Sequence, residues 1–202
     1  MKEEQSQSFL ADSAKMLIIS DSHGYLKADD LQRLIKKEKS SALIHLGDLI
    51  DKFDESYKGD FEALIEVLKT NPFPFIHVSG GLDTYYKFDS YIQSRERAFS
   101  GSSFKENEFI MHHYLNPELK KRLTKETPHF ILHGHTHIQD IAYLNYQNKL
   151  EEIPIRKDNE IRLILKPNSK INYFLNPGAF KNGEYCTLEK KGNFYSAIFK
   201  SF

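Results

Sequence analysis

Apolar residues in this chain fall into short unbroken runs. Between the first of them lie charged stretches whose apolar positions recur three and four apart. Lys15-Met16-Leu17-Ile18-Ile19-Ser20-Asp21, Ala42-Leu43-Ile44-His45-Leu46 and Phe73 to Val78 are the first three runs. None alternates apolar with polar residues, the mark of a strand buried on both faces. Between the first two, Leu31, Leu34 and Ile35 form a helical stripe, with Lys36, Lys37 and Lys39 near its end, where the helix dipole favours cations. Asp29 and Asp30 are its candidate N-caps. Phe61, Leu64, Ile65 and Leu68 form a second stripe, with Asp60 as candidate N-cap and Asn71-Pro72 as its stop. The resulting β-α-β-α-β order predicts a parallel sheet covered by helices.

Beyond residue 83 the pattern changes. Residues 84–108 are polar and aromatic with little helical period, and Ser100-Gly101-Ser102-Ser103 reads as a turn within a hairpin-rich excursion. Phe109-Ile110-Met111 is a short strand ending at His112-His113. Asn116 and Pro117 open a helix as N-cap and first helical residue, with Leu119 and Leu123 facing inward. His129-Phe130-Ile131-Leu132 is another buried strand, leading into His133-Gly134-His135-Thr136-His137. Strands follow over Ile138 to Tyr146 and Glu160 to Leu165, then a tight turn at Asn176-Pro177-Gly178-Ala179. Glu184 to Lys190 and Phe194 to Lys200 form a final hairpin. No internal repeat or linker divides the chain, so we expect a polar tail over 1–14 and a single domain over 15–202.

Composition narrows the classes. Of the 202 residues, 40% are hydrophobic and 28% charged, with a formal net charge of zero. Nothing in that balance predicts attraction to nucleic acid or to an anionic membrane. The single cysteine, Cys186, rules out an internal disulfide and any multi-thiolate metal site. The polar N-terminus does not resemble a signal peptide, and no apolar run approaches a membrane span. A cytoplasmic location is expected. The oligomeric state is not legible.

The nine histidines carry the chemistry. Asp21, His23, Asp48, His112, His135 and His137 each lie just beyond the C-terminal end of a predicted strand, the edge where α/β sheets bind ligands. Six oxygen and nitrogen donors exceed the needs of one tetrahedral ion and suffice for two. An aspartate is the natural bridge, since each carboxylate oxygen serves one cation. Mixed imidazole and carboxylate donors suit Mn²⁺, Fe²⁺, Zn²⁺ or Co²⁺ better than Ca²⁺. A pair of such ions can clamp the attacking and leaving oxygens of a phosphoryl displacement.

Asp21-x-His23, Gly47-Asp48-x-x-Asp51, Gly80-x-x-Asp83, His112 and Gly134-His135-x-His137, in that order and spacing, resemble the calcineurin-like metallophosphoesterases. The likeness is strongest to the small single-domain bacterial and archaeal phosphodiesterases, which also carry an Asn-Pro-Gly turn near the end, here Asn176-Pro177-Gly178. The resemblance implies a four-layer α/β/β/α sandwich of two mixed sheets flanked by helices. It implies a first metal held by Asp21, His23 and His137, a second held by His112 and His135, and Asp48 bridging them. It further implies hydrolysis of a phosphodiester or small phosphorylated metabolite by a metal-bridging hydroxide, with Mn²⁺ the leading candidate for both ions. Two departures stand out. The family's third motif carries an asparagine that ligates the second metal, where this chain has Gly81, and Leu82 stands where one branch has a histidine acid. Leu82 disfavours a Ser/Thr protein phosphatase. His112 is followed by His113 where many relatives have glycine, so His113 is a candidate to touch substrate or to stand in as a ligand. A catalytically weakened relative serving as a protein-binding scaffold is the alternative that Gly81 raises.

The remaining polar groups have plainer readings. Asp51 supports a histidine or caps a turn, and Asp83 has a supporting or turn role. His45, His77, His129 and His133 are structural. Lys36-Lys37 and Lys120-Lys121-Arg122 are solvated helix faces. Tyr85, Tyr86, Phe88 and Tyr91 belong to the core of the excursion.

Overall fold

Two sheets face each other across an apolar seam, and the order in which the chain builds them follows its hydrophobic runs. The computed structural model describes residues 10, 14–50, 58–83, 98–123, 129–145, 147, 149–165 and 171–202. The chain runs β1 (Lys15–Ile19), α1 (Ala28–Glu38), β2 (Ala42–His45), α2 (Lys58–Thr70), β3 (Phe75–Val78) and β4 (Ala98–Gly101). It continues with β5 (Ser103–Glu106), β6 (Phe109–His112), α3 (Pro117–Leu123), β7 (Phe130–His133), β8 (Gln139–Leu144) and β9 (Leu150–Glu152). It ends with β10 (Glu160–Leu163), β11 (Asn172–Pro177), β12 (Glu184–Lys191) and β13 (Phe194–Ser201).

The first sheet has the order β10-β13-β12-β1-β2-β3-β4 and the second β5-β6-β7-β11-β8-β9. β1 to β4 are mutually parallel, as are β6, β7 and β11; the remaining strands pair antiparallel. Alternation along each strand explains the layers. Met16, Ile18, Ile44 and Ile76 of the first sheet meet Phe109, Met111, Phe130, Leu132 and Leu175 of the second in the largest core. Their neighbours Leu17, Ile19, Leu43 and Phe75 turn outward to pack on Leu31, Leu34, Leu64 and Leu68 of α1 and α2. On the far side, Ile110, Ile131 and Phe174 pack against Leu123 of α3. The four-layer α/β/β/α sandwich is the observed fold.

Several local expectations change. α1 begins at Ala28 with Lys27 as N-cap and no side-chain cap, so Asp29 and Asp30 sit in the first turn and act on the dipole instead. Asp60 lies within α2 and not before it. Asn116 caps α3 as expected, its Oδ1 accepting the Leu119 N–H at 2.8 Å. Asn176 and Pro177 end a strand, and the turn follows at Gly178, which is in the left-handed region at φ 82°. The Ser100–Ser103 stretch is the crossing from β4 of one sheet to β5 of the other, not a hairpin turn. Leu10, from the stretch expected to be a tail, is buried in the inter-sheet core and donates its N–H to Glu106. Asp51, Tyr85, Tyr86, Phe88 and Tyr91 lie outside the described residues.

Candidate metal centre

Parallel strands in both sheets end at the same rim, and the polar residues that follow them meet there. Asp21 and His23 follow β1, Asp48 follows β2, His113 follows β6, and His135 and His137 follow β7. Their ligating atoms form two groups, Asp21 with His23 and His137, and Asp48 with His113 and His135, each with its atoms within 4.8 Å of one another. Each group draws from both sheets.

In the first group, His137 Nε2 lies 3.2 Å from Asp21 Oδ1 and 3.2 Å from His23 Nε2. Asp21 Oδ2 is already satisfied, accepting from the Ser20 hydroxyl at 2.5 Å and from the His135 N–H at 2.9 Å. Asp21 Oδ1 is buried with no hydrogen-bond partner. A buried carboxylate oxygen left open, with two imidazole nitrogens turned toward it, fits a cation, because an unsatisfied buried acceptor is otherwise costly. Burial, followed by the charge of Lys181, lowers the pKa of His23 and keeps its ring in the neutral, metal-binding form.

In the second group, His113 Nδ1 donates to the Leu46 carbonyl at 2.6 Å, which leaves Nε2 as the nitrogen able to ligate a cation. Nε2 lies 3.3 Å from Asp48 Oδ2 and has no hydrogen-bond partner. Burial opposes protonation of His113, but the Asp48 carboxylate outweighs it and the pKa moves up. Burial would likewise raise Asp48, yet His113 and the Leu82 N–H, which donates to Oδ1 at 3.0 Å, move it down.

The backbone is shaped for this arrangement. Asp21, His23, Asp48, His135 and His137 all have positive φ, between 47° and 74°. Asp and His are among the few non-glycine types that enter this region, and such strain gathers where the surrounding structure enforces a functional geometry. Gly134 passes so close to the first sheet that a Cβ there would collide with Ser20 Oγ and approach Asp21 Oδ2 at 2.9 Å. Asn176 secures the His135 loop, its amide donating to Gly134 O at 3.1 Å and Thr136 Oγ1 at 2.9 Å. Neither Ser20 nor Asn176 stood out in sequence as a supporting residue.

A scan against protein families matches residues 15–189 to the calcineurin-like phosphoesterase superfamily domain. The chain belongs to the calcineurin-like phosphoesterase superfamily. No curated protein sequence matches it. Among solved structures, this phosphoesterase is similar to a metallophosphoesterase from Sphaerobacter thermophilus at TM-score 0.54 and 17% identity, covering 93% of this chain and 89% of that one. A Thermotoga maritima protein solved by NMR gives 0.52 and 25%, covering 93% and 99%. A Streptococcus pneumoniae protein described as a predicted phosphoesterase gives 0.52 and 15%, covering 94% and 93%. Superfamily membership makes the chain a metal-dependent phosphoester hydrolase by class, with two candidate metal-ligand clusters.

The clusters correct one sequence expectation. His112 belongs to neither, and His113 takes the place assigned to it. The reason is the strand's two-residue period. Phe109 and Met111 face the inter-sheet core and Ile110 faces α3, so His113 continues the inward side and His112 the outward one. Burial and then Arg122, on α3, lower the pKa of His112. The other expected structural histidines are buried. His45 Nδ1 accepts the Gly47 N–H at 3.2 Å while Nε2 meets Ser22 Oγ at 2.8 Å, and His77 contacts Ser100 and Asp83.

Two of these buried rings give the phosphoesterase a pH-dependent stability. Burial pulls His45 down to about 3 and His133 down to about 4. The unfolded chain takes up these protons near 6.5, which the folded chain refuses. Their stabilising contribution is therefore complete above 6.5 and is lost as the pH falls toward 4. Thermal melts of metal-free protein should show the midpoint falling between pH 6.5 and 4.5, with a shallower fall in His45→Gln. An unchanged midpoint across that window contradicts the assignment.

Proposed function

We propose that this protein hydrolyses a phosphodiester or small phosphorylated metabolite with the help of two divalent cations, Mn²⁺ first among them, in the cytoplasm. The observation that carries the reading is the pair of three-donor groups at one rim, joined by the hydrogen bond from the His135 N–H to Asp21. Asp21, His23 and His137 would hold one ion and His113 and His135 the other, with Asp48 the residue shared between them. Its charge acts on His23 of the first group while its Oδ2 lies against His113 of the second, which supports that role. Cations bound there would neutralise phosphate charge and acidify water at neutral pH.

This chain's own residues set the geometry. The Leu46 carbonyl and the Leu82 N–H fix His113 and Asp48, and the left-handed loops aim the remaining donors. The Leu82 side chain offers no acid, which favours substrates with good leaving groups. The test is hydrolysis of bis-p-nitrophenyl phosphate and p-nitrophenyl phosphate with Mn²⁺, before and after chelation. Turnover should need the metal and fall sharply in Asp48→Asn and His135→Ala; turnover indifferent to metal and to both substitutions removes the proposal.

Gly81 decides between a tuned enzyme and a weakened one. A Cβ built there meets nothing within 4 Å, and its φ is not left-handed, so an asparagine fits. Gly81→Asn should tighten Mn²⁺ binding at the second group by about tenfold or more, the scale on which supporting residues tune metal affinity. A large accompanying gain in turnover supports the reading of a weakened relative acting as a scaffold. Tighter metal binding without faster turnover supports an adapted enzyme.

A further inference from the structure

A cavity of about 290 Å³ opens on the outer face of the second sheet, beside the metal groups. Gly134 and Thr136, on either side of His135, line it. Tyr114, a residue 53% exposed, lines it too, and its ring stands edge-on to His135 with centroids 4.7 Å apart. A group esterified to a phosphate held at the metal groups would therefore have this cavity beside it. Its volume is at the small end for ligand sites, enough for one ring system and its sugar.

The lining is chemically specific. Phe174 floors the cavity but is only 1% exposed, with Lys120 Nζ 4.9 Å from its ring centroid, so the aromatic face open to a ligand is that of Tyr114. Asp140 on β8 and Glu152 on β9 both line the cavity, and neither carboxylate takes a hydrogen bond or ion pair from the described residues. Burial and the charge of Glu152 raise the pKa of Asp140, while Lys120 opposes them. Carboxylates accept hydrogen bonds and an ammonium donates them, so the complementary ligand has a flat body with N–H donors on one edge and acceptors on another. A simple ammonium ester fits poorly, because Lys120 already places a cation against Phe174. A nucleobase fits, and guanine best: its amino and ring N–H groups suit a carboxylate, and lysine reads its O6 and N7.

We propose that this cavity seats the base of a guanosine-type nucleoside phosphoester whose phosphorus lies at the metal groups; the assignment rests on the hydrolase reading above. The test uses p-nitrophenyl phosphodiesters with methyl, guanosine 5′ or choline as the second ester. Each consumes one water, breaks the same P–O bond and releases p-nitrophenol. The guanosine ester should exceed the methyl ester in kcat/KM by about tenfold or more, the scale of stacking one base on an aromatic group. That ratio should fall toward one in Asp140→Asn and in Ala142→Phe, which fills the cavity. A ratio near one in the parent protein, a preference for the choline ester, or a guanosine preference untouched in both variants overturns the proposal. Calorimetric titration of guanosine into metal-free protein separates it from the hydrolase reading. Binding that Asp140→Asn weakens sustains the subsite even if no ester is turned over; no binding sinks it whatever the turnover. Circular dichroism identifies a variant that has failed to fold, in which case the other decides.

Discussion

His113→Ala should abolish cation binding at the second group and slow bis-p-nitrophenyl phosphate hydrolysis by more than about 100-fold. Loss of a residue that merely supports a ligand costs 10- to 100-fold, and His113 is placed as a ligand itself. His112→Ala should leave both properties near the parent level. The two residues are adjacent and identical in type, so the comparison isolates position from chemistry. His113 Nε2 is buried against Asp48, whereas His112 lies on the α3 side with Arg122. Mn²⁺ titration with steady-state rates measures both. The reverse ranking would return His112 to the ligand set and break the geometric argument.

The second large effect is expected at Asp83, which touches no candidate ligand side chain in the metal groups but organises the loop beneath them. Its carboxylate is 2% exposed and accepts the N–H groups of Asp48, Leu49 and Gly80, each at 2.8 Å. Burial alone would raise its pKa; the His77 ring, 3.2 Å away, and the Gly80 N–H reverse that and hold the carboxyl well below the usual range. Asp83→Ala leaves three buried N–H groups without acceptors, at about 1–3 kcal/mol each. A loss of about 3 kcal/mol or more should lower Tm by roughly 6–12 °C for a chain of this size. Asp83→Asn keeps one acceptor and should fall between parent and alanine. In both, Mn²⁺ affinity should weaken, because the Asp48 N–H is no longer anchored. A stable Asp83→Ala protein with normal affinity would show that the loop holds its shape without this carboxylate.

The sequence was most readable where chemistry and burial coincide. β1, β2, β3, β6 and β7 begin or end within two residues of the apolar runs, and five of the six donors expected at strand ends, all but His112, fall in the two groups. What stayed hidden has physical causes. In Phe109-Ile110-Met111 both faces of the strand are buried, so hydropathy shows no contrast from which to count the side that His112 or His113 takes. β11 went unseen because Asn176 and Pro177 read as turn residues; Asn172 and Asn176 instead spend their amides on His129, Gly134 and Thr136. β9 consists of exposed Leu150, Glu151 and Glu152, held by pairing with β8 and not by burial, and hydropathy cannot register that. The support from Asp83 to Asp48 joins residues 35 apart through a backbone N–H, which no side-chain motif encodes.

Because each donor group takes members from both sheets, an occupied site is also a rivet through the seam. With ions held as proposed, prising the two halves of the sandwich apart would mean surrendering them, which would tie metal loss to the opening of the core. These histidines would then serve the union of the two sheets as well as turnover.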